Sequence, residues 1–236
     1  MEIILVIVVS YLLGSIPSAF LAGKIKGVDI RTVGSGNVGA TNALRTFGKK
    51  VGYAVFAADF LKGALAVFLA GAPFVWLAVH LVGSHCGEGE PYGLFCARVG
   101  IYYLGLTPWN WILFPQIVAA VSVMLGHIYP VWLKFKGGKG VATAAGVLCV
   151  LSWPVFVVAI VVWLVVFYTT RYVSLASIAL AASLPVTAAV LAWWGHCPRL
   201  LVVFVSLIAV LAVWKHRSNI KRLLDGTESR FEKTKS

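Results

Sequence analysis

One apolar stretch fills most of the second half of the chain: residues 141–214 read VATAAGVLCVLSWPVFVVAIVVWLVVFYTTRYVSLASIALAASLPVTAAVLAWWGHCPRLLVVFVSLIAVLAVW. Breaks occur at 153–154, at 171–172 and at 195–199, where proline, arginine or glycine appears. A helix needs about 20 apolar residues to cross a lipid bilayer. The stretch is therefore long enough for several crossings, and it indicates a membrane protein.

The composition of the whole chain agrees with this interpretation. Of its 236 residues, 60% are hydrophobic and 12% are charged, and the mean hydropathy is +0.92. A soluble globular domain carries about 25% charged residues, so this chain has too little charge to cover a water-facing surface. Composition excludes an ordinary cytosolic enzyme, a disordered protein and a disulfide scaffold, and leaves an all-α, polytopic membrane protein.

Seven transmembrane helices are predicted, one of them short. They cover residues 3–23, 51–82, 109–133, 141–152, 154–170, 173–194 and 199–214. The fourth is only about 18 Å long at a rise of about 1.5 Å per residue, so it spans only if the bilayer thins or if it packs inside the bundle. Pro154 favours a new helix start there. A six-helix alternative, in which Pro154 merely kinks one helix, stays open.

The distribution of positive charge predicts the orientation. Of the 20 Lys and Arg residues, 17 lie in the loop 24–50, the loop 134–140, the turn at Arg171 and the tail 215–236. Cytoplasmic loops carry an excess of Lys and Arg, so these segments are predicted to be cytoplasmic and the N-terminus to be outside. We expect a single membrane domain, 1–236, with an external insert at 83–108 and a cytoplasmic tail at 215–236.

Lys and Arg outnumber the 8 Asp and Glu residues and give a net charge of +12. In so apolar a chain, this excess serves membrane orientation, anionic lipid headgroups or an anionic substrate. Nucleic acid is excluded as a partner because the sequence has no long soluble basic domain. The four cysteines are too few and too irregular for a zinc site. Cys86 and Cys96 are interpreted as free thiols; a disulfide between them, if the insert faces an oxidising space, is the alternative.

The loop after the first predicted helix reads GSGNVGATNALR over residues 34–45. Its glycines let backbone amides approach a ligand closely, and its side chains add neutral hydrogen-bonding groups and a cation. The candidate residues are Gly34, Ser35, Gly36, Asn37, Gly39, Thr41, Asn42 and Arg45. If a helix begins near Ala40, its N-terminus faces the glycine turn, as in an anion site. A flexible loop whose glycines only make turns is the alternative.

Two further segments have related features. KFKGGKGVAT, residues 134–143, places Gly137, Gly138 and Gly140 around Lys139, directly before a predicted helix. These glycines let the Lys139 ammonium lie beside a bound phosphate, although a basic topology signal with a tight turn is the simpler alternative.

The third segment, KHRSNIKRLLDGTE, covers residues 215–228. If it continues the last helix, His216, Asn219 and Ile220 share one face. A polybasic stop signal, which is the alternative, needs neither His216 nor Asn219.

Ionisable residues inside predicted spans are functional candidates by default. Asp59 and Lys62 are three residues apart on one predicted helix, so we favour mutual neutralisation. His127 near the end of its helix is interpreted as a packed interfacial residue, although its closeness in sequence to Lys139 leaves a role in the site open. The sequence has no Cys nucleophile elbow, His-x-x-x-x-Asp acyltransferase signature or metal cluster, so no metal is predicted.

Taken together, these segments resemble the PlsY family. The resemblance is carried by SGNVGATNALR, GGKGVAT and HRSNIKRLLDGTE, with DFLKG at 59–63 and RYVSLAS at 171–177. It covers nearly the whole chain in order, and the insert at 83–108 is longer than the usual outer loop of the family. The family consists of bacterial membrane glycerol-3-phosphate acyltransferases that use acyl phosphate, so the resemblance implies an enzyme of the bacterial cytoplasmic (inner) membrane.

The implied reaction is acyl transfer from acyl phosphate to glycerol 3-phosphate, which gives lysophosphatidic acid and phosphate as the first acylation of phospholipid synthesis. By resemblance, Ser35, Asn37, Thr41, Arg45, Lys139, His216 and Asn219 line the site on the cytoplasmic face. Arg45, Lys139 and the amides of 137–140 are assigned to phosphate, and His216 and Asn219 to the glycerol hydroxyls. The implied partners are the two substrates, membrane lipids and the enzyme that makes acyl phosphate, with no cofactor.

Two questions stay open at this level. An acyl phosphate is already activated, so the hydroxyl proton can pass to the donor's own phosphate; His216 as general base is the rival mechanism. The alternative function is a transporter or binder of a phosphate-bearing anion or lipid. Transporters often show paired halves and broken helices at the midplane, whereas here the polar motifs are all predicted on one face.

Overall fold

The computed structural model describes residues 2–83 and 110–231 of the chain, and over these ranges it is helical, with no strand. It consists of two compact units, Met1–Trp153 and Pro154–Ser236. The described part contains helices that are long and apolar enough to cross a membrane, which confirms the prediction of an all-helical chain with several spans.

In the described part of the first unit there are six helices. They are α1 (Glu2–Ser15), α2 (Ser18–Ile25), α3 (Ala40–Phe47), α4 (Lys49–Gly83), α5 (Asn110–Ile128) and α6 (Val141–Leu151). Short 3₁₀ turns at Ile30–Thr32 and Val131–Leu133 join some of them. The first predicted helix is divided in two at Pro17, which has no N–H to continue the hydrogen-bond ladder.

The second unit is built from four helices. They are α7 (Trp153–Thr170), α8 (Val173–Trp193), α9 (Arg199–Lys215) and α10 (Arg217–Leu224). α8 packs on α9 through small and branched residues such as Ala181, Ala188 and Val205, all nearly inaccessible. The Trp163 indole donates to Ser177 Oγ at 3.3 Å and joins α7 to α8. α7 leaves valines such as Val161 and Val165 exposed, as expected of a face in contact with lipid.

Within residues 2–83 and 110–231, five segments qualify as membrane spans by length and hydropathy. They are Ile3–Ile25, Lys49–Gly71, Leu113–Leu133, Trp153–Thr170 and Val173–Trp193. α9 and α10 form a sixth if the pair, bent by 54°, is counted as one span. α6 is 11 residues long and falls below the length of a span, as predicted for this segment. Ser152 is extended between α6 and α7, so these are two helices and not one kinked helix.

Glycines bring the helices of the first unit unusually close. A Cβ on Gly126 of α5 would lie 2.9 Å from the Ser15 nitrogen of α1, and one on Gly146 of α6 would lie 2.9 Å from the Ala64 nitrogen of α4. Small residues at such crossings let two backbones pack directly, the commonest basis of helix association in membranes. These two crossings fix the end of α5 and the start of α6, where the polar loops attach.

Candidate active site

Asn42 determines the shape of the first glycine loop. Its side chain is 1% exposed. Its Oδ1 accepts the Ser35 N–H at 3.0 Å, and its Nδ2 donates to the carbonyls of Ile30 and Val33, both at 3.1 Å. Gly34 has a φ of +60° and lies so close to Asn42 Oδ1 that no side chain fits there. Asn42, predicted to bind substrate, is therefore occupied in holding the loop.

α3 begins directly after this loop, at Ala40, as the sequence predicted. Gly39 precedes it without a side-chain cap. The first amides of a helix have no partner within the helix and carry a partial positive charge. Of the candidate side chains around this helix start, Ser35 and Arg45 are exposed, and Asn37 and Thr41 are half-buried. The local structure can therefore receive an anion.

The second loop, residues 137–140, is tied to the end of α5. The Gly137 N–H donates to the Ile128 carbonyl at 3.1 Å, and the Gly138 N–H donates to the His127 carbonyl at 3.2 Å. Gly140 has a φ of +83°, which favours glycine, and α6 begins at the next residue without a side-chain cap. Lys139, half-buried, lies between Gly138 and this helix start.

The two glycine loops meet within the first unit. A Cβ on Gly138 would lie 2.8 Å from the Val38 carbonyl oxygen, so the backbones of the two loops are in direct contact there. Residues 34–39 and 137–140 are about a hundred positions apart in the sequence. The fold thus places two helix starts, with Lys139 and the polar side chains of the first loop, in one region.

Four glycine amides of the two loops donate to backbone carbonyls. Those of Gly36, Gly39, Gly137 and Gly138 donate to the carbonyls of Val33, Asn37, Ile128 and His127, respectively. An N–H group has one proton to donate, so these bonds speak against the Gly137 and Gly138 amides as phosphate ligands, the role predicted for the amides of residues 137–140. The glycines are needed for close approach instead: a Cβ on Gly36 would lie 3.1 Å from the Arg31 carbonyl, and one on Gly39 3.0 Å from Asn37 Nδ2.

A buried polar cluster lies beneath the loops. Lys62 Nζ is 2.8 Å from Asp59 Oδ1, which confirms that these two residues neutralise each other. Asp59 also accepts the Ser18 hydroxyl at 3.0 Å, and Lys62 donates to the Ile16 carbonyl at 2.9 Å. A cavity of about 10 Å³ adjoins the cluster, which is room for roughly one water molecule. Its lining residues include Ser15, Ser18, Val38, Asp59, Lys62, His127, Gly137 and Gly138.

In the second unit, the chain bends at His216. α9 and α10 meet there at 54°, so the segment 215–224 does not continue the last span as one straight helix. The imidazole is 3% exposed, and its Nδ1 lies 2.7 Å from the Ala212 carbonyl oxygen. Because a carbonyl only accepts, Nδ1 carries the proton of this bond. Asn219 follows one turn later, with its N–H donating to the His216 carbonyl at 2.8 Å.

Glu228 was not among the predicted site residues, although it is the last residue of the third segment, 215–228. Its side chain is 6% exposed. Oε1 accepts Asn219 Nδ2 and Oε2 accepts Arg222 Nε, both at 2.7 Å. Burial alone would raise the pKa of Glu228, but the hydrogen bonds from Asn219 and Arg222 lower the pKa below its usual value. The sequence DGTE, residues 225–228, could have indicated this position. Its glycine, Gly226, has a φ of +68° and turns the chain back toward α10.

The described end of the chain folds back on the α7–α8 turn. Arg230 Nε donates to the Thr170 carbonyl, and the Phe231 N–H donates to the Arg171 carbonyl, both at 3.0 Å. The Phe231 ring packs edge-on against Phe167. The predicted cytoplasmic tail is therefore an ordered part of the second unit as far as residue 231. Cys86, Cys96 and nearly all of the predicted insert 83–108 lie outside the described residues.

Comparisons with known proteins agree on one family. The family described as glycerol-3-phosphate acyltransferase matches residues 4–226. A glycerol-3-phosphate acyltransferase of Rhodopseudomonas palustris is 40% identical over 230 residues, covering 97% of this chain and 96% of the relative. One of Prochlorococcus marinus is 38% identical and covers 98% of both chains.

Two solved structures are also similar. They are crystal structures of PlsY, an integral membrane glycerol 3-phosphate acyltransferase, in its glycerol 3-phosphate form and in its lysophosphatidic acid form. The TM-scores are 0.75 and 0.73, and the identities are 37% and 36%. Each comparison covers 98% of this chain and 96% of the solved chain. With its helical membrane architecture and its two glycine loops, the chain belongs to the glycerol-3-phosphate acyltransferase family.

Proposed function

We propose that this chain transfers a fatty acyl group from acyl phosphate to glycerol 3-phosphate and releases lysophosphatidic acid and inorganic phosphate. The observation that carries the proposal is the contact between the two glycine loops at Gly138 and Val38. It brings together the candidate side chains of both loops in a chain whose relatives are named for this acyl acceptor. The relatives and the solved structures favour this function over a transporter or lipid binder.

Side chains and helix starts, not the glycine amides, are the proposed phosphate ligands. Arg45 and Lys139 supply positive charge, and Ser35, Asn37 and Thr41 supply hydrogen bonds. α3 and α6 both begin without a side-chain cap beside these residues, so their first-turn amides favour an anion. In this arrangement Asn42 and the glycines Gly36, Gly39, Gly137, Gly138 and Gly140 shape the two loops.

His216 and Asn219 are proposed to orient the hydroxyls of glycerol 3-phosphate. With its proton on Nδ1, a neutral His216 ring presents Nε2 as an acceptor for a hydroxyl proton. Asn219 donates to Glu228 through its Nδ2, which fixes the orientation of its amide group. Both features favour the positioning of an alcohol. The catalytic roles proposed for His216, Asn219, Ser35 and Lys139 rest on the pattern of the family.

The proposed chemistry is a single acyl transfer. A glycerol hydroxyl oxygen attacks the acyl carbon, the bond from that carbon to the phosphate oxygen breaks, and the hydroxyl proton passes to the departing phosphate. Acyl phosphate is a mixed anhydride with a good leaving group, so positioning and charge stabilisation supply much of the rate. His216 as the general base remains the rival route.

We further propose seven transmembrane segments in one functional membrane domain, with α6 as the short one, the N-terminus outside and the C-terminus cytoplasmic. The excess of Lys and Arg, 17 of 20 in four segments, supports this orientation. The site would then face the cytoplasm of a bacterial inner membrane. There it has access to acyl phosphate, to the enzyme that makes it, and to glycerol 3-phosphate.

Purified protein with acyl phosphate and glycerol 3-phosphate tests the function. We expect phosphate release that depends on glycerol 3-phosphate, with lysophosphatidic acid as the lipid product. Lys139→Ala should reduce kcat/KM by roughly 10- to 100-fold. Lys134→Ala is the control: Lys134 is exposed and lies outside the glycine loop 137–140, so its replacement should leave kcat/KM nearly unchanged. Folded protein that releases no phosphate would contradict the proposal and favour a transporter or binder.

A further inference from the structure

His127 contacts the second glycine loop through both its backbone and its ring. Its carbonyl accepts the Gly138 N–H at 3.2 Å. Its Nε2 lies against Gly138, so close that a side chain at 138 would collide with the ring. The residue is 7% exposed. The loop that carries Lys139 therefore lies directly on this imidazole.

The opposite edge of the ring is connected to two other helices. His127 Nδ1 is 3.2 Å from Thr143 Oγ1, in the first turn of α6, and 3.7 Å from Asp59 Oδ1 of α4. Thr143 is fully buried and Asp59 is 2% exposed. A buried histidine with a hydroxyl and a carboxylate on one edge has its ring plane fixed, because rotation would break the hydrogen bond to the hydroxyl and the contact with the carboxylate.

We propose that His127 is a positioning residue: anchored by Asp59 and Thr143, it holds the 137–140 loop, and with it Lys139, against the first glycine loop at Val38. The inference rests on the proposed function, since it assigns His127 to the phosphate-binding step of that reaction. His127 does not itself touch substrate; it acts through Gly138 and Lys139. Its effect should therefore appear in the capture of glycerol 3-phosphate more than in turnover.

Kinetics of three variants test this role. His127→Ala should lower kcat/KM for glycerol 3-phosphate by roughly 10- to 100-fold, mostly through a higher KM. His127→Gln should recover part of the loss, because its amide can still bond the Thr143 hydroxyl. Ser122→Ala is the matched control: Ser122 is buried on the same helix, its hydroxyl donates to the Val118 carbonyl one turn back at 2.8 Å, and it is remote from the loops in sequence. It should behave like the unaltered protein.

Two kinetic outcomes would overturn the proposal. One is a folded His127→Ala protein with an unchanged KM for glycerol 3-phosphate, whatever its kcat. The other is a Gln variant no better than the Ala variant. If His127→Ala does not fold, Thr143→Val and Thr143→Ser replace it. The Val variant, which loses the hydroxyl, should raise KM, and the Ser variant, which keeps it, should not; equal KM values in the two would also refute the role.

Amide hydrogen exchange separates this inference from the proposed function. In His127→Ala, the peptide containing residues 137–140 should exchange faster than in Ser122→Ala, because Gly137 and Gly138 lose a fixed support. Unchanged exchange would refute the positioning role even if the protein is a fully active acyltransferase. If the unaltered protein releases no phosphate from acyl phosphate, the proposed function fails, while the exchange result still decides whether His127 holds the loop.

Discussion

At the scale of single residues, Glu228 has a central position in the second unit. One carboxylate, nearly inaccessible, accepts hydrogen bonds from both Asn219 and Arg222. A buried carboxylate needs such donors, because burial without partners is costly. Its removal leaves Asn219 and Arg222 without this acceptor. Glu228, which is outside the predicted site, therefore helps to orient Asn219, which is one of the predicted site residues.

We expect Glu228→Gln to destabilise the protein by about 1–3 kcal/mol, because the NH2 group that replaces one carboxylate oxygen cannot accept a hydrogen bond, so Asn219 and Arg222 no longer each face an acceptor. The measurement is thermal unfolding in detergent. Since the folded-state pKa of Glu228 is lowered, its contribution is complete above the unfolded-state pKa of about 4.3 and is lost as pH falls through the lower folded-state pKa. The Tm difference between the two proteins should therefore shrink on acidification. A constant difference down to low pH would contradict the assigned role.

His216 offers a test of mechanism at the same scale. His216→Ala should lower kcat by roughly 100-fold or more, because it removes an oriented acceptor. His216→Gln should restore most of the activity if the residue orients the hydroxyl, since the amide side chain also accepts a hydrogen bond. Rates measured across pH provide the check: activity of the unaltered protein that follows a single imidazole ionisation, with no rescue by Gln, would instead establish His216 as general base.

At the scale of helices, close crossings determine where the loops attach. The α4–α6 crossing depends on Gly146, against which Phe60 and Ala64 pack. The two backbones lie so close at Gly146 that there is no room for a side chain. Any carbon added at this position must displace one of the two helices. Such glycines are not recognisable from sequence, since the chain has 23 of them in varied contexts.

Gly146→Val should therefore destabilise the protein by at least about 1–3 kcal/mol, seen as a lower Tm in detergent and a loss of acyl transfer. Cys149→Val on the same helix is the control, because Cys149 is exposed and surface substitutions usually change stability by less than about 0.5 kcal/mol. Equal stability of the two variants would show that α4 and α6 do not pack through Gly146.

At the scale of the whole molecule, the distribution of charge supports the proposed orientation. Nearly all Lys and Arg residues outside the spans lie in the four segments that we propose to be cytoplasmic. Moving such charges across a membrane is unfavourable, and the excess of Lys and Arg therefore favours this topology. The predicted external position of residues 83–108 follows from the same rule.

A protease-accessibility experiment tests this orientation. An epitope tag after Ser236 should be protected from added protease in intact spheroplasts and cleaved in inverted vesicles. A tag before Met1 should show the opposite pattern. Cleavage of the C-terminal tag in intact spheroplasts would reverse the proposed topology and place the site outside the cytoplasm.

The sequence alone determined the membrane class, the helical segments and the family. These depend on local properties: hydropathy over about 20 residues, the break before Pro154, and three motifs read in order. The helix starts at Ala40 and Val141 and the Asp59–Lys62 pair were also predictable, because glycine placement and three-residue spacing act within one segment.

Only the tertiary structure decided which acceptors the glycine N–H groups bond and which residues support the site. Whether the Gly138 amide meets phosphate or the His127 carbonyl depends on α5, which no neighbouring residue encodes. The bend at His216, the return of Glu228 to Asn219, and the His127–Thr143 contact have the same origin. Hydrogen bonds and close backbone contacts act over about 3 Å, so they are settled only when distant segments of the chain have packed together.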